Sequence, residues 1–176
     1  MITRWDFEPG HTSVTFAARH MMITIVRGQY KNLQGSLYFD PSDLAHSSVE
    51  VKIEAASFST EDVERDAHLR SADFLDVEHF PAIHFQSTHV EATGYSTYQI
   101  AGDLTVRGTT RPVTLEAHCD GPVDTPFNNT RIGFFATTRI HREDFGVSWN
   151  NPMPGGGWVV AKEVELTIDV EAIRAV

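Results

Sequence analysis

Nine histidines are spread along 176 residues, and histidine is the side chain best suited to ligating a metal or moving a proton near neutral pH. Their spacing does not assemble a site. His79, His84 and His89 fall five apart, which on a strand turns consecutive members to opposite faces. No His-Glu-x-x-His pair occurs. Cys119 is the single cysteine, so neither an internal disulfide nor a cysteine-based zinc site can form. No Gly-x-Ser-x-Gly elbow is present, and Gly155-Gly156-Gly157 lack the Lys and Ser/Thr of a phosphate loop. No catalytic residue, metal ligand or cofactor site is therefore expected. Two side chains keep a binding reading. His20 shares parity with Phe16 and Ala18, which puts it on the inner face near a strand end, either bonding a ligand headgroup or sitting as a satisfied core histidine. Arg142 stands beside Glu143 and Asp144. It is expected to pair with a carboxylate and fix a turn, with the holding of an anionic head as the second reading. Arg107, in Val106-Arg107-Gly108, reads as a turn residue.

The elements that position these residues are strands. In Val49-Glu50-Val51-Lys52-Ile53-Glu54-Ala55 the odd positions are apolar and the even ones charged. The row Val164, Leu166, Ile168 and Val170 alternates with Glu165, Thr167, Asp169 and Glu171. Val113, Leu115, Ala117 and Cys119 alternate with Thr114, Glu116, His118 and Asp120. Successive side chains point to opposite faces of a strand, so each stretch has one wet and one dry face, the mark of antiparallel sheets. Further strands are expected near 11–19, 29–39, 82–91, 95–106 and 130–140, with turn residues between them, among them Gly121-Pro122-Val123-Asp124. About eight such strands make a sandwich or a barrel, and periodicity alone does not separate the two. Phe16, Phe39, Phe74, Phe85, Phe134 and Trp149 are read either as the lining of a cavity or as tightly packed core. Cys119 ends an apolar row and is expected to be a buried, inert thiol.

One segment departs from this pattern. Residues 60–71 read as a short helix, capped by Ser59 or Thr60, with Glu61 and Asp62 in its first turn. Val63, Ala67 and the stem of Arg70 share a face, and Asp66 and Arg70 stand at i,i+4.

Composition bounds the rest. The length and ordinary apolar share argue for a single domain over 1–176. No apolar run reaches the roughly 18 residues of a membrane helix, so no integral membrane segment is expected. The start, Met1-Ile2-Thr3-Arg4-Trp5-Asp6, has no apolar core of a signal peptide, which points to the cytoplasm rather than the periplasm or secretion. Twenty-four acidic residues against 14 basic ones give a net charge of -10, which repels nucleic-acid phosphates and anionic headgroups.

Several motifs in register carry a family resemblance. Asp66-Ala67-His68-Leu69-Arg70-Ser71-Ala72-Asp73-Phe74-Leu75-Asp76, followed by Phe80-Pro81-Ala82-Ile83-His84-Phe85, resembles the central signature of the YceI family. Gly102-Asp103-Leu104-Thr105-Val106-Arg107-Gly108-Thr109-Thr110 resembles a second signature, and Arg142-Glu143-Asp144-Phe145-Gly146-Val147 a third. Trp5-Asp6, His11-Thr12, Phe16 and His20 match the usual opening, with Thr12 where serine is commoner. The resemblance implies an extended, lipocalin-like antiparallel β-barrel of about eight strands with its helix near the mouth. It also implies a long-chain lipid as ligand, a polyisoprenoid such as a prenyl quinone or prenyl phosphate, and a homodimer. On that reading the ligand-binding residues are Phe16, His20, Phe39, Phe74, Phe85, Phe134, Arg142 and Trp149, in a carrier, store or sensor rather than an enzyme. An enzyme acting on an apolar substrate, and a stress-related β module with a filled core and no ligand, are the competing readings.

Overall fold

The structure, a computed structural model, describes residues 2–176. Its strands are β1 (Thr3–Phe7), β2 (Ser13–His20), β3 (Thr24–Tyr30), β4 (Leu33–Phe39), β5 (Ser48–Glu54), β6 (Phe58–Ser59), β7 (Ala82–Gly94), β8 (Thr97–Val106), β9 (Thr109–Asp124), β10 (Thr130–His141) and β11 (Glu163–Arg174). One helix, α1 (Val63–Arg70), lies between β6 and β7. All strand pairings are antiparallel, and the order β1-β4-β5-β7-β8-β9-β10-β11 returns on itself, because β1 also pairs with β11 through Trp5↔Arg174 and Phe7↔Ala172. The sheet is a closed barrel of eight strands, which resolves the choice between sandwich and barrel. β2 continues β1 along the same flank of β11, and β3 precedes β4 in the same way, so two walls of the barrel are each built from two strands end to end.

The joint between β1 and β2 shows how the ring survives an irregularity. Six positions separate Phe7 from Ser13, whereas their partners Ala172 and Asp169 are three apart, so the chain bulges through a short 3-10 turn at Pro9–His11. Thr12, 6% exposed, closes the gap with its side chain. Its hydroxyl donates to the Glu171 carbonyl (3.2 Å) and accepts from the Glu171 N–H (3.3 Å). The Glu171 N–H is thereby satisfied, and the carbonyl, which also accepts from the Glu8 N–H (2.8 Å), gains a second donor. Serine, which carries the same hydroxyl, can make both bonds.

Two expectations need correction. Gly121-Pro122-Val123-Asp124 does not end a strand. β9 runs through it, and because Pro122 has no N–H to give the ladder, the pairing slips by one residue opposite Arg131 and Gly133. The helix is shorter than 60–71, and its cap is neither Ser59 nor Thr60. Asp62 accepts from the Arg65 N–H (3.0 Å), and α1 starts after it. Val63 is 87% exposed and Ala67 is also exposed, so the expected apolar face points to water. The face turned to the protein carries Asp66, Leu69 and Arg70. The Asp66 carboxylate is buried and accepts from the Thr60 N–H (3.0 Å) and hydroxyl (2.5 Å), which fixes the helix's rotation and brings Leu69 over the barrel end. Arg70 does not pair with Asp66. It donates to the carbonyls of Ala56 (3.0 Å) and Phe58 (2.7 Å) and lies over the Phe58 ring.

The Thr12 joint yields a test. Thr12→Val keeps the shape but leaves the Glu171 N–H without its acceptor, while the Glu171 carbonyl keeps the Glu8 N–H (2.8 Å), and is expected to cost about 2 kcal/mol. That corresponds to a melting temperature lower by roughly 4–8 °C, while Thr12→Ser keeps most of the stability. Thermal denaturation followed by circular dichroism checks both.

Candidate functional site

The dry faces of the strands meet around one space. Val49, Val51 and Ile53 from β5, Val113, Leu115 and Ala117 from β9, and Val164, Leu166, Ile168 and Val170 from β11 all line it. Glu50, Lys52 and Glu54, the alternate residues of β5, are exposed on the outside. The cavity measures about 260 Å³. That is far more than the roughly 15 Å³ a single water needs, yet its walls offer water almost no partners.

The cavity exists because the core is divided. One buried cluster, around Phe58, Phe74, Phe85 and Phe145, fills the end under α1. Another, around Trp5, Leu37, Phe39 and Ile132, fills the opposite end. Phe7, Val49, Ile100, Leu115 and Ile168 pack against both clusters and point inward, yet each is only half-buried. They form a waist whose uncovered surface faces the cavity. Two phenylalanines add room by lying along the wall. Phe16 stands directly opposite Gly28, where a Cβ would come within 2.1 Å of the ring, and a Cβ on Gly102 would come within 2.5 Å of the Phe85 ring. Each ring occupies the place of a neighbouring strand's missing side chain, which leaves the lumen open.

Polar groups are few inside. Tyr30 and Tyr98 line the cavity, buried, and among the described residues no group hydrogen-bonds either hydroxyl. Burial holds both phenols above the usual tyrosine range, so they remain neutral donors. Tyr30 packs against Phe16 and Phe58 with ring centroids 5.7 and 5.6 Å away. Arg142 is the one charged residue in the lining among the described residues. It is 4% exposed, and the carboxylate partner expected for it is absent among the described residues. Its guanidinium instead donates to the carbonyls of Ala161 (2.8 Å), Val147 (2.8 Å), Trp149 (3.0 Å) and Val160 (3.4 Å). Its side chain turns inward while Glu143 reaches out to Lys162 (3.5 Å), which is why the adjacent carboxylate is not used. Desolvation draws the Arg142 pKa below its usual value. Arg107, at positive φ in the β8–β9 turn, donates to the Phe74 carbonyl (2.7 Å). Arg70, Arg107 and Arg142 thus fasten the segments that close this end by binding their carbonyls.

Of the side chains singled out in the sequence, Phe16, Phe39, Phe74, Phe85, Phe134 and Arg142 line the cavity, and His20 and Trp149 do not. His20 lies beyond the last β2–β11 pair, Ala17↔Glu165, where its backbone bridges Val160, and Val160 takes the inward place. Trp149 packs outside Phe74 (5.3 Å between centroids) and against the His68 ring (4.6 Å). Tyr30 and Tyr98 were not singled out. Strand parity marks Tyr30 as inward with Val26 and Gly28, but no motif distinguishes it. Leu69 had no usable signal, since only the Asp66 anchor turns it inward.

The histidines serve the surface. Among the described residues, seven of the nine approach a carboxylate within 4.0 Å, as in His84–Glu50 at 3.0 Å and His79–Asp76 at 2.8 Å. Glu8, His11 and Glu171 bring possible ligand atoms within 4.8 Å of one another, but His11 is bonded to Glu8 and Arg131 to Glu171, so the group is an ion-pair network. Cys119 is buried, and desolvation pushes its thiol up to about 11.

Comparison with known proteins places this geometry. The YceI-like domain matches residues 5–172. A UPF0312 protein of Serratia proteamaculans is 37% identical over 171 residues, covering 97% of this chain and 85% of the relative. One from Pseudomonas putida is 34% identical over 169 residues, covering 96% and 84%. Among solved structures, a Campylobacter jejuni YCEI protein superposes with a TM-score of 0.77 at 27% identity, covering 90% of each chain. BcnA of Burkholderia cenocepacia shares the fold at a TM-score of 0.83 and 23% identity, over 94% of this chain and 99% of its own. A polyisoprenoid binding domain of Saccharophagus degradans shares it at 0.70 and 9% identity, over 99% and 100%.

Two outcomes follow. Arg142→Met removes the donor to the carbonyls of Ala161, Val147 and Trp149, while Val160 keeps the Asn150 amide (2.7 Å), and is expected to cost about 3 kcal/mol, read as a clear fall in melting temperature. With a thiol pKa of about 11, Cys119 is about one part in a thousand thiolate at pH 8. A thiol-reactive dye is expected to label the native protein at least ~100-fold more slowly than the urea-unfolded chain.

Proposed function

The chain belongs to the YceI-like family, and from that membership we propose that its barrel binds a long-chain lipid of the polyisoprenoid class, of the prenyl quinone or prenyl phosphate type. It does so as a carrier, store or sensor rather than as an enzyme. The observation that carries this reading is the half-buried waist of Phe7, Val49, Ile100, Leu115 and Ile168 around an apolar space inside the barrel wall. Inward apolar surface left uncovered in a folded protein is stabilised by whatever apolar chain fills it, at roughly 0.8 kcal/mol per buried methylene. Ten such carbons offer roughly 8 kcal/mol before the cost of ordering the chain is subtracted. The ligand class is supported by the fold shared with the Saccharophagus degradans polyisoprenoid binding domain.

The binding reading is favoured over catalysis by the lining itself. Among the described residues it holds no histidine, carboxylate or lysine, so no acid–base pair converges there. A neutral headgroup is favoured over a phosphorylated one, because Arg142 is engaged with four carbonyls and the other polar side chains of the lining are neutral hydroxyls, those of Tyr30, Tyr38, Ser47, Ser48, Tyr98 and Thr138.

Filling the waist tests the proposal. Leu115→Trp adds bulk to the cavity wall, and Gly28→Ala drives the Phe16 ring off the wall into the lumen. Titrated with a long prenyl alcohol, both variants are expected to bind at least ~10-fold more weakly than the parent. Equal affinity in parent and variants, or no uptake by the parent, contradicts the proposal.

A further inference from the structure

One end of the barrel has a surface unlike the rest. The β2–β3 hairpin runs past the ring there, since the last β2–β11 pair is Ala17↔Glu165 while the hairpin continues to His20↔Thr24. Residues 158–161 back its tip, through the Met21 N–H to the Val159 carbonyl (2.8 Å) and the Ala161 N–H to the Arg19 carbonyl (3.1 Å). The tip presents Met21, Met22 and Ile23 at 42%, 61% and 80% exposure, beside Trp158 at 51%. Met21 and Met22 both hold left-handed backbone, with φ of 51° and 63°. Side chains disfavour that conformation, so two methionines displayed on it, where glycine is the easier choice, mark the tip as built for contact.

Charge sets the hairpin and the loop behind it apart as well, whereas α1 and the 142–145 turn at the same end carry exposed Glu61, Asp62, Glu64, Glu143 and Asp144. The chain has 24 acidic residues, yet none falls in residues 9–39 or in 145–162, the two stretches that supply the hairpin and the loop behind it. Arg19 and Arg27 stand exposed on the outer face of the hairpin, Arg19 directly opposite Ile25, and neither forms an ion pair among the described residues. The protein as a whole repels an anionic surface, but screening confines each charge's reach to about 8 Å at physiological salt, so the local pattern governs contact.

We propose that this end docks on a lipid bilayer bearing anionic headgroups. Met22, Ile23 and Trp158 enter the boundary between headgroups and acyl chains, and Arg19 and Arg27 meet the lipid phosphates. The exposed carboxylates of α1 and the 142–145 turn hold the rest of this end off the phosphates, so the hairpin tip leads. Ala18 and Val160 line the cavity three positions before Met21 and two after Trp158, so the docked surface abuts the cavity wall. The inference rests on the surface alone and holds whether or not the cavity takes a lipid.

The test is sedimentation of the whole chain with vesicles of phosphatidylcholine alone or with roughly a third phosphatidylglycerol. The parent is expected to bind the anionic vesicles at least ~10-fold more tightly. Ile23→Asp lowers that binding at least ~10-fold, and the double variant Arg19→Ser, Arg27→Ser removes the preference for phosphatidylglycerol. Tyr95→Asp, at a residue 98% exposed on the opposite end, changes neither. Unchanged melting temperatures show that the variants fold. Binding to neither vesicle, equal binding to both, or full binding by Ile23→Asp overturns the proposal. A dimer that Ile23→Asp splits in light scattering, without vesicle binding by the parent, makes the tip a contact between two copies and likewise overturns it.

Discussion

Everything in this molecule depends on the pairing of β1 with β11. An open sheet must bury one face against another layer and must protect its edges. A ring satisfies its backbone hydrogen bonds within itself, and its wall can then stand around a space instead of around a filled core. Three pairs, Trp5↔Arg174, Asp6↔Ile173 and Phe7↔Ala172, make that closure, and they lie beside the bulge at Pro9–His11. The Thr12 hydroxyl repairs the ladder at that point. A single side chain thus carries a task that a regular strand gives to its backbone.

Once the wall closes, stability and hollowness divide between regions. The two ends carry tightly buried clusters, and the waist stays open. The end under α1 is held by arginines that bind carbonyls rather than carboxylates. A carbonyl partner brings no second charge to desolvate, so a buried guanidinium with four of them is satisfied without a buried ion pair. The segments so fastened, 56–58, 74 and 147–161, lie outside the ring of eight strands, where regular ladder pairing is sparse. The family signatures around Asp66, Arg70, Arg107 and Arg142 therefore describe how the barrel end is built more than how a ligand is recognised.

The strands of the wall were legible in the sequence because period-two alternation reports directly which face is wet. Val49, Val51, Ile53 and the row from Val164 to Val170 all fall where their parity puts them. Parity fails at strand ends, and His20 shows why. Beyond the last β11 pair the neighbouring segment, not the pleat, decides what faces in. Trp149 was misplaced for a related reason, since its loop has no period and its position is set by Phe74 and His68. The rotation of α1 was unreadable because the anchor is a buried carboxylate, and composition rules send carboxylates to the surface. Whether the phenylalanines fill the core or line a void could not be read from spacing either. It depends on glycines such as Gly28 and Gly102 accepting the rings across the strand, a contact that only the closed barrel creates.

Native mass spectrometry of the protein purified without detergent tests the central claim, that the closed barrel encloses a space for an apolar chain, most directly. The account predicts a stoichiometric adduct that survives gentle ionisation and leaves on denaturation as a long-chain lipid. A bare polypeptide mass that stays bare after incubation with prenyl lipids would contradict it, and the waist would then be an unfilled packing defect rather than a binding site.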